Sequence, residues 1–191
     1  KHPMIDAIEV VCLEGWYDIL KAYAEQFGIA KLKYVISGGN SSQESIKIGL
    51  ENLKNICNDG DIIIIHDGIR PMVDDNIITS CIETCESNGN GVTAYPVYEQ
   101  IFETKDGKTT DKYIPRESLR IVQTPQAYKY KEILDVYIEG FEKNIGIHGS
   151  SYANTLMTDM GKKLYFSAGS TKNIKITTKD DIAIFKAMIS F

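Results

Sequence analysis

Four consecutive isoleucines, Ile62–Ile65, lie between Asp61 and His66. A β-branched run this short is a strand, and its lack of polar alternation predicts cover on both faces, as in the middle of a parallel sheet. Further strands are expected at residues 7–12, 33–37, 91–97, 119–123 and 163–168. Helical patterns fill residues 16–27, 42–55, 75–87, 131–143, 152–159 and from 179 onward. Strands alternating with helices predict an α/β fold with a doubly wound, mostly parallel sheet. Right-handed crossovers place the strand ends along one edge, where such sheets bind ligands. There are no repeats and no low-complexity linker, so one domain over 1–191 is expected.

Residues 101–104 and 109–114 interrupt this rhythm and read as a β-hairpin. Asp106-Gly107 fits a type I′ turn, which needs positive φ at both central positions. The hairpin is polar, and its pattern alone fits a protruding arm and an ordinary surface hairpin equally well.

Composition narrows the function. The chain has 191 residues, with 21 Lys and Arg against 26 Asp and Glu, a net charge of −5. That excludes a generic nucleic-acid binder, which carries a basic excess, but not a small phosphorylated substrate, which needs only a few placed cations. Cys12, Cys57, Cys81 and Cys85 contain no CxxC pair, so they predict buried thiols in a reducing cytoplasm and not structural zinc. No apolar run approaches the ~20 residues of a membrane span. The opening Lys1-His2-Pro3-Met4-Ile5-Asp6 has neither a signal-peptide pattern nor an initiator Met, so the chain is expected to begin part-way through a gene product.

Three segments could carry chemistry. In Ser37-Gly38-Gly39-Asn40-Ser41-Ser42-Gln43-Glu44-Ser45, two glycines let backbone approach a ligand just before a helix N-terminus. The plainer reading is a turn with a capping box, Ser41 to Glu44. In His66-Asp67-Gly68-Ile69-Arg70-Pro71, an acid and a base follow the isoleucine strand. The carboxylate suits a metal or a ribose hydroxyl, and the guanidinium suits a phosphate; the alternative is an Asp-Gly turn with a surface Arg. His66 reads as a packed, hydrogen-bonded strand-end residue. In Asn173-Ile174-Lys175-Ile176-Thr177-Thr178, a lysine in a short strand before a capped helix suits anionic charge, or else is an edge-strand lysine. Asp59-Gly60-Asp61 matches a DxD only formally, because it precedes its strand, and it reads as a turn.

Together these segments resemble the cytidylyltransferases of polyol phosphates, which act on 2-C-methyl-D-erythritol 4-phosphate or D-ribitol 5-phosphate. Gly38-Gly39-Asn40 to Ser45 with Gly49-Leu50 is similar to the family's cytosine-contacting segment. His66 to Pro71 resembles its HDAARP, Gln123-Thr124-Pro125-Gln126 its QTPQ, and Asn173 to Thr178 its NIKITT. The resemblance implies a nucleotide-diphospho-sugar-transferase-like fold and a homodimer through an arm at about 99–116. It implies attack by a polyol-phosphate oxygen on CTP, with magnesium accompanying the nucleotide, in isoprenoid or in teichoic-acid or capsule synthesis. Gly38, Gly39, Asn40 and Ser45 would recognise cytosine. Asp67 would lie near ribose, metal or substrate. Arg70 and Thr124 would hold the acceptor, with Gln100 and Ser150 beside it. Lys175 would face the reacting phosphates, and Arg116 would enter the partner's active site.

The departures bear on activity and acceptor. The family opens with a strand and a basic Gly-rich loop, LAxGxGxRM then PKQ, that wraps the triphosphate. This chain holds no such loop and is expected not to turn over CTP as written. Glu99-Gln100 replaces an Asp-Thr pair, and Ser150-Ser151-Tyr152-Ala153 replaces Thr-Asp-Asp-Ala, which favours ribitol 5-phosphate slightly over methylerythritol phosphate. The alternative is a non-catalytic binding or regulatory domain of the same fold. A nicotinamide-binding module is disfavoured because GxGxxG is absent.

Overall fold

The computed structural model describes residues 1–149 and 152–190. The chain packs as two compact units, 1–65 with 127–164, and 66–126 with 165–191. It crosses between them three times, at 65/66, 126/127 and 164/165, so neither is contiguous in sequence. The α/β architecture matches the expectation, and no described helix is long and apolar enough to cross a membrane.

In the first unit, β1 (Ile8–Cys12) pairs in parallel with β2 (Leu32–Ser37), and α1 (Tyr17–Gln26) connects them. Next come α2 (Ser42–Asn52), a 3₁₀ turn over Leu53–Asn55 where a continuous helix was expected, and β3 (Ile62–Ile65). The four isoleucines of β3 are all half-buried, which corrects the expectation of a strand covered on both faces. β3 lies at the end of a four-stranded order. Asp59-Gly60-Asp61 is a turn, closed by the Asn58 amide donating to the Asp61 carboxylate at 2.8 Å.

The core of this unit lies under α4 (Tyr130–Lys143) and α5 (Ala153–Asp159). Tyr130, Ile133, Leu134, Tyr137 and Gly140 recur at helical spacing, and all five are buried. Gly140 is needed there, because a Cβ would lie 2.8 Å from Leu156 Cδ1. Tyr137 donates to Gln43 Oε1 at 2.6 Å, and burial pushes its phenol far above the ordinary range. Gln43 in turn donates to the carbonyls of Gly146 and Tyr152.

In the second unit, α3 (Asp75–Asn88) covers β4 (Asn90–Pro96) and β8 (Phe166–Ala168), which pair in parallel, with β7 (Arg120–Lys129) on the other side of β4. Asp74 caps α3, its carboxylate accepting from Ile77 N at 2.9 Å. Cys81 and Cys85 are fully buried in this core, as expected, whereas Cys12 and Cys57 in the first unit are only half-buried; all four are free thiols. α6 (Lys179–Ile189) starts at the expected capping box, Thr178 with Asp181. Four hydrogen bonds from Thr177 and Thr178 hold the exposed Asp181 carboxyl down at about 2.

The hairpin consists of β5 (Ile101–Glu103) and β6 (Lys112–Ile114), paired antiparallel. Its turn is not type I′, because Gly107 has positive φ (70°) and Asp106 does not. The Asp106 carboxylate instead gathers the tip, accepting from Lys108 N, Thr109 N and Thr109 Oγ1, and these donors hold its pKa well below the usual carboxylate range.

Candidate active site

Two cations, one three positions away and one from a distant segment, converge on one carboxylate in the second unit. Asp67 Oδ2 lies 3.2 Å from Arg70 Nε and 3.2 Å from Lys175 Nζ. Asp67 lies two residues beyond β3, and its backbone N–H donates to Thr124 Oγ1 at 3.0 Å, which ties the turn after the isoleucine strand to β7. Arg70 is the most enclosed of the three charged groups, with 12% of its side chain exposed. Its Nη1 donates to the Asn173 carbonyl at 2.8 Å. Two of its five N–H groups are thereby engaged within the protein.

Lys175 does not lie in a strand, which corrects the expectation and removes the edge-strand reading. Residues 173–177 have no ladder partner, and the Ile176 amide reaches the Ile69 carbonyl at 2.9 Å. His66 stands at the strand end as expected, with Nε2 3.2 Å from the Arg70 carbonyl. Its ring keeps an exposed edge, yet the atoms packed around it disfavour charge and push its pKa below the ordinary value.

Asp67 is the carboxylate that both cations contact. Among the described residues no group of three or more His, Cys, Asp or Glu is placed to hold a metal by itself. One carboxylate plus substrate phosphates is a donor set that magnesium uses. The cluster offers one carboxylate to such an ion.

The Gly38–Asn40 loop belongs to the first unit. Ser41 caps α2, its hydroxyl accepting from Glu44 N at 3.1 Å. The other half of the expected capping box is shifted by one residue, since Glu44 Oε2 accepts from Asn40 N at 2.6 Å and not from the cap. Ser45 Oγ accepts from Gly39 N at 3.1 Å, and its hydroxyl proton can still donate outward. Neither glycine can be replaced freely: a Cβ would lie 2.9 Å from Ser45 Oγ at Gly38 and 2.4 Å from Glu44 Cβ at Gly39. The loop thus has its backbone exposed by glycine and its shape held by the helix that follows.

The remaining expected residues are dispersed. Gln100 is exposed at the root of the hairpin, just before β5. Arg116 is exposed beyond β6, where its Nη1 donates to the Tyr98 carbonyl at 2.8 Å. Ser150 lies outside the described residues. Two participants were not singled out from the sequence: Gln123 and Asn173, both buried beside Thr124. Their signal was present, since each is a polar residue opening a motif quoted for the resemblance.

An α/β fold with a carboxylate between two cations, two residues beyond a strand, suits a phosphorylated ligand. The family model for 2-C-methyl-D-erythritol 4-phosphate cytidylyltransferase (IspD) matches residues 1–190. A ribitol-5-phosphate cytidylyltransferase from Lacticaseibacillus paracasei is 51% identical over 189 residues, covering 99% of this chain and 81% of the relative. A 2-C-methyl-D-erythritol 4-phosphate cytidylyltransferase from Clostridium acetobutylicum is 33% identical, covering 95% of this chain and 77% of that one. The crystal structure of 4-diphosphocytidyl-2C-methyl-D-erythritol synthase from Anaerococcus prevotii shares the fold, with a TM-score of 0.87 at 23% identity, over 100% of this chain and 82% of that one. The chain belongs to the IspD cytidylyltransferase family.

Proposed function

We propose that the protein transfers CMP from CTP to a polyol phosphate, releasing pyrophosphate, and that the acceptor is ribitol 5-phosphate. The observation that carries this reading is the placement of Arg70 and Lys175 on one carboxylate. An acceptor phosphate oxygen attacks the α-phosphorus, a new P–O bond forms, and the bond to pyrophosphate breaks. The nucleophile is already anionic, so the protein needs no strong general base. It needs positioning and charge neutralisation, which dominate in transfers of this kind.

In this reading Lys175 neutralises charge on the reacting phosphates, and the remaining N–H groups of Arg70 receive the acceptor phosphate. Thr124 acts by holding the turn of Asp67. Magnesium, when bound with the triphosphate, supplies Lewis-acid neutralisation, and Asp67 is the carboxylate that would meet it. The Gly38–Asn40 backbone and the Ser45 hydroxyl read cytosine. The 51% identity to a ribitol-5-phosphate enzyme, against 33% to a methylerythritol-phosphate enzyme, supports the ribitol acceptor. Glu99-Gln100 at the hairpin root supports it too. We place the enzyme in the cytoplasm, in keeping with its four free thiols.

We further propose a homodimer in which the 99–116 arm carries Arg116 to the partner's site. The exposed hairpin and the anchoring of Arg116 to Tyr98 support this. Mixing Arg116→Ala with Lys175→Ala protein should then restore activity that neither variant has alone.

The deciding assay measures pyrophosphate release by the full-length gene product with CTP, magnesium and a panel of polyol phosphates. Turnover with ribitol 5-phosphate is expected. Turnover with methylerythritol phosphate alone overturns the acceptor, and no turnover with any polyol phosphate overturns the reading.

A further inference from the structure

We propose that Gln123 and Asn173 are positioning residues that set Arg70 and Lys175 at their working separation; this rests on the cytidylyl-transfer reading above. Lys175 sits on a segment with no sheet ladder, so something else must fix it. The buried amides of Gln123 and Asn173, which are 4% and 0% exposed, do this. Gln123 Nε2 donates to the carbonyls of Ser170 and Asn173, both at 2.9 Å, and its Oε1 accepts from Ser170 N at 3.2 Å. Asn173 Nδ2 donates to the Thr124 carbonyl at 2.8 Å.

The Asn173 carbonyl is the junction. Gln123 holds it on one side, and Arg70 Nη1 takes it as its own anchor. Lys175 follows two residues later, before the Ile176–Ile69 bond closes the segment. Lys175 therefore reaches Asp67 along a path that starts at this amide pair, and Arg70, whose backbone is closed onto Asp67 in its own turn at 3.0 Å, has its guanidinium held by the same Asn173 carbonyl. The chain enters the arrangement through Gly169, where a Cβ would lie 2.8 Å from the Ala94 carbonyl oxygen and 3.0 Å from Gln123 Oε1. Asn173 Oδ1 is buried without a partner, an exception that stability alone does not select. Its amide is kept for its donor side.

The test uses the full-length gene product, with wild-type pyrophosphate release measured first. Gln123→Leu fills similar space without hydrogen bonds, and Asn173→Ala removes the donor to Thr124. Each should lower kcat on the order of tenfold to a hundredfold, as misplacement of reacting groups does, while the KM for CTP stays within about threefold. Arg70→Lys keeps the charge and loses the fork. Combining it with Gln123→Leu should cost little more than the worse single variant, because both act through the Asn173 carbonyl. A role confined to folding would lower the melting temperature and make the kcat losses multiply. Near-wild-type kcat in either variant, once circular dichroism shows it folded, overturns the assignment, and so do multiplicative losses. If neither variant folds, the Arg70→Lys cycle is run with Asn173→Ser, and multiplicative losses there overturn it equally. A wild type that releases no pyrophosphate sinks the cytidylyl-transfer reading itself, and this assignment with it.

Discussion

The two regions expected to bind substrate are built on opposite plans. The turn of the Gly38–Ser45 loop is held mostly locally, by bonds between residues three to six apart, Ser41 to Glu44, Asn40 to Glu44 and Gly39 to Ser45, while the Gly38 amide and Gln43 tie it to Cys12, Gly146 and Tyr152. The Asp67 cluster is assembled from afar, with Thr124 57 positions from Asp67 and Asn173 103 positions from Arg70. A turn of the first kind takes most of its shape from its own helix. A cluster of the second kind exists only when several strands and turns have taken their places, so its chemistry and its stability are entangled. Lys175 is the exception within it. Lys175 is charged, 28% exposed and not a keystone of packing, whereas Arg70 is both charge and keystone.

The contrast can be broken experimentally, beginning with the largest effect. Lys175→Ala should lower kcat on the order of 10²- to 10³-fold, the cost of losing one charge-stabilising donor. Its melting temperature should hardly change, because part-exposed ion pairs are worth little. Pyrophosphate release and a thermal melt on the same preparation check both halves, and a large loss of stability would erase the distinction from Arg70. Arg70→Ala should instead lose turnover more than tenfold and stability by about 2 kcal/mol, through the charged hydrogen bond to a buried carbonyl. Urea titration measures the second quantity.

Effects in the local loop should be smaller. Gly39→Ala forces a Cβ to 2.4 Å from that of Glu44. Overpacking of this kind costs about 1–3 kcal/mol, and a KM for CTP raised severalfold with kcat nearly kept would mark the loop as a binding element only. Ser41→Ala removes the helix cap and should cost about 1 kcal/mol, a fall of about 2–4 °C for a chain of this size, with kcat unchanged.

The smallest effect concerns pH. The folded pKa of His66 lies below its ordinary value of 6.5. As pH falls the unfolded chain binds the proton first, so this contribution is complete above 6.5 and is lost as pH drops toward the folded value. A slight fall in melting temperature from pH 7.5 to 5.5, flattened by His66→Asn, is the expected sign.

The same contrast explains what the sequence revealed. The local loop was readable directly, since two glycines, a cap residue and a glutamate within seven positions specify their own geometry. Only the exact partner of Glu44 was missed, by one residue. Asp67, Arg70 and Lys175 were each visible as charged residues near strand ends. The resemblance gave each a separate role, but the meeting of Arg70 and Lys175 on one Asp67 oxygen depends on pairing between distant segments, which periodicity does not encode. Gln123 and Asn173 escaped because buried amides look like ordinary polar residues until their partners are known. The isoleucine run misled for a related reason: β-branched residues report strand propensity strongly and the number of neighbouring strands weakly.

One feature of the fold limits how the protein can be re-engineered. The stretch from Gly169 to Thr178 is fastened at both ends and in the middle, at Ala94, Thr124, Ile69 and Asp181. A residue inserted before Lys175 would carry the ammonium away from Asp67 while leaving both ends tied. Among the described residues, the hairpin tip around Asp106 is fastened by bonds within itself. Insertion scanning should therefore find a chain whose length is adjustable at the tip of the arm and fixed where the lysine is delivered.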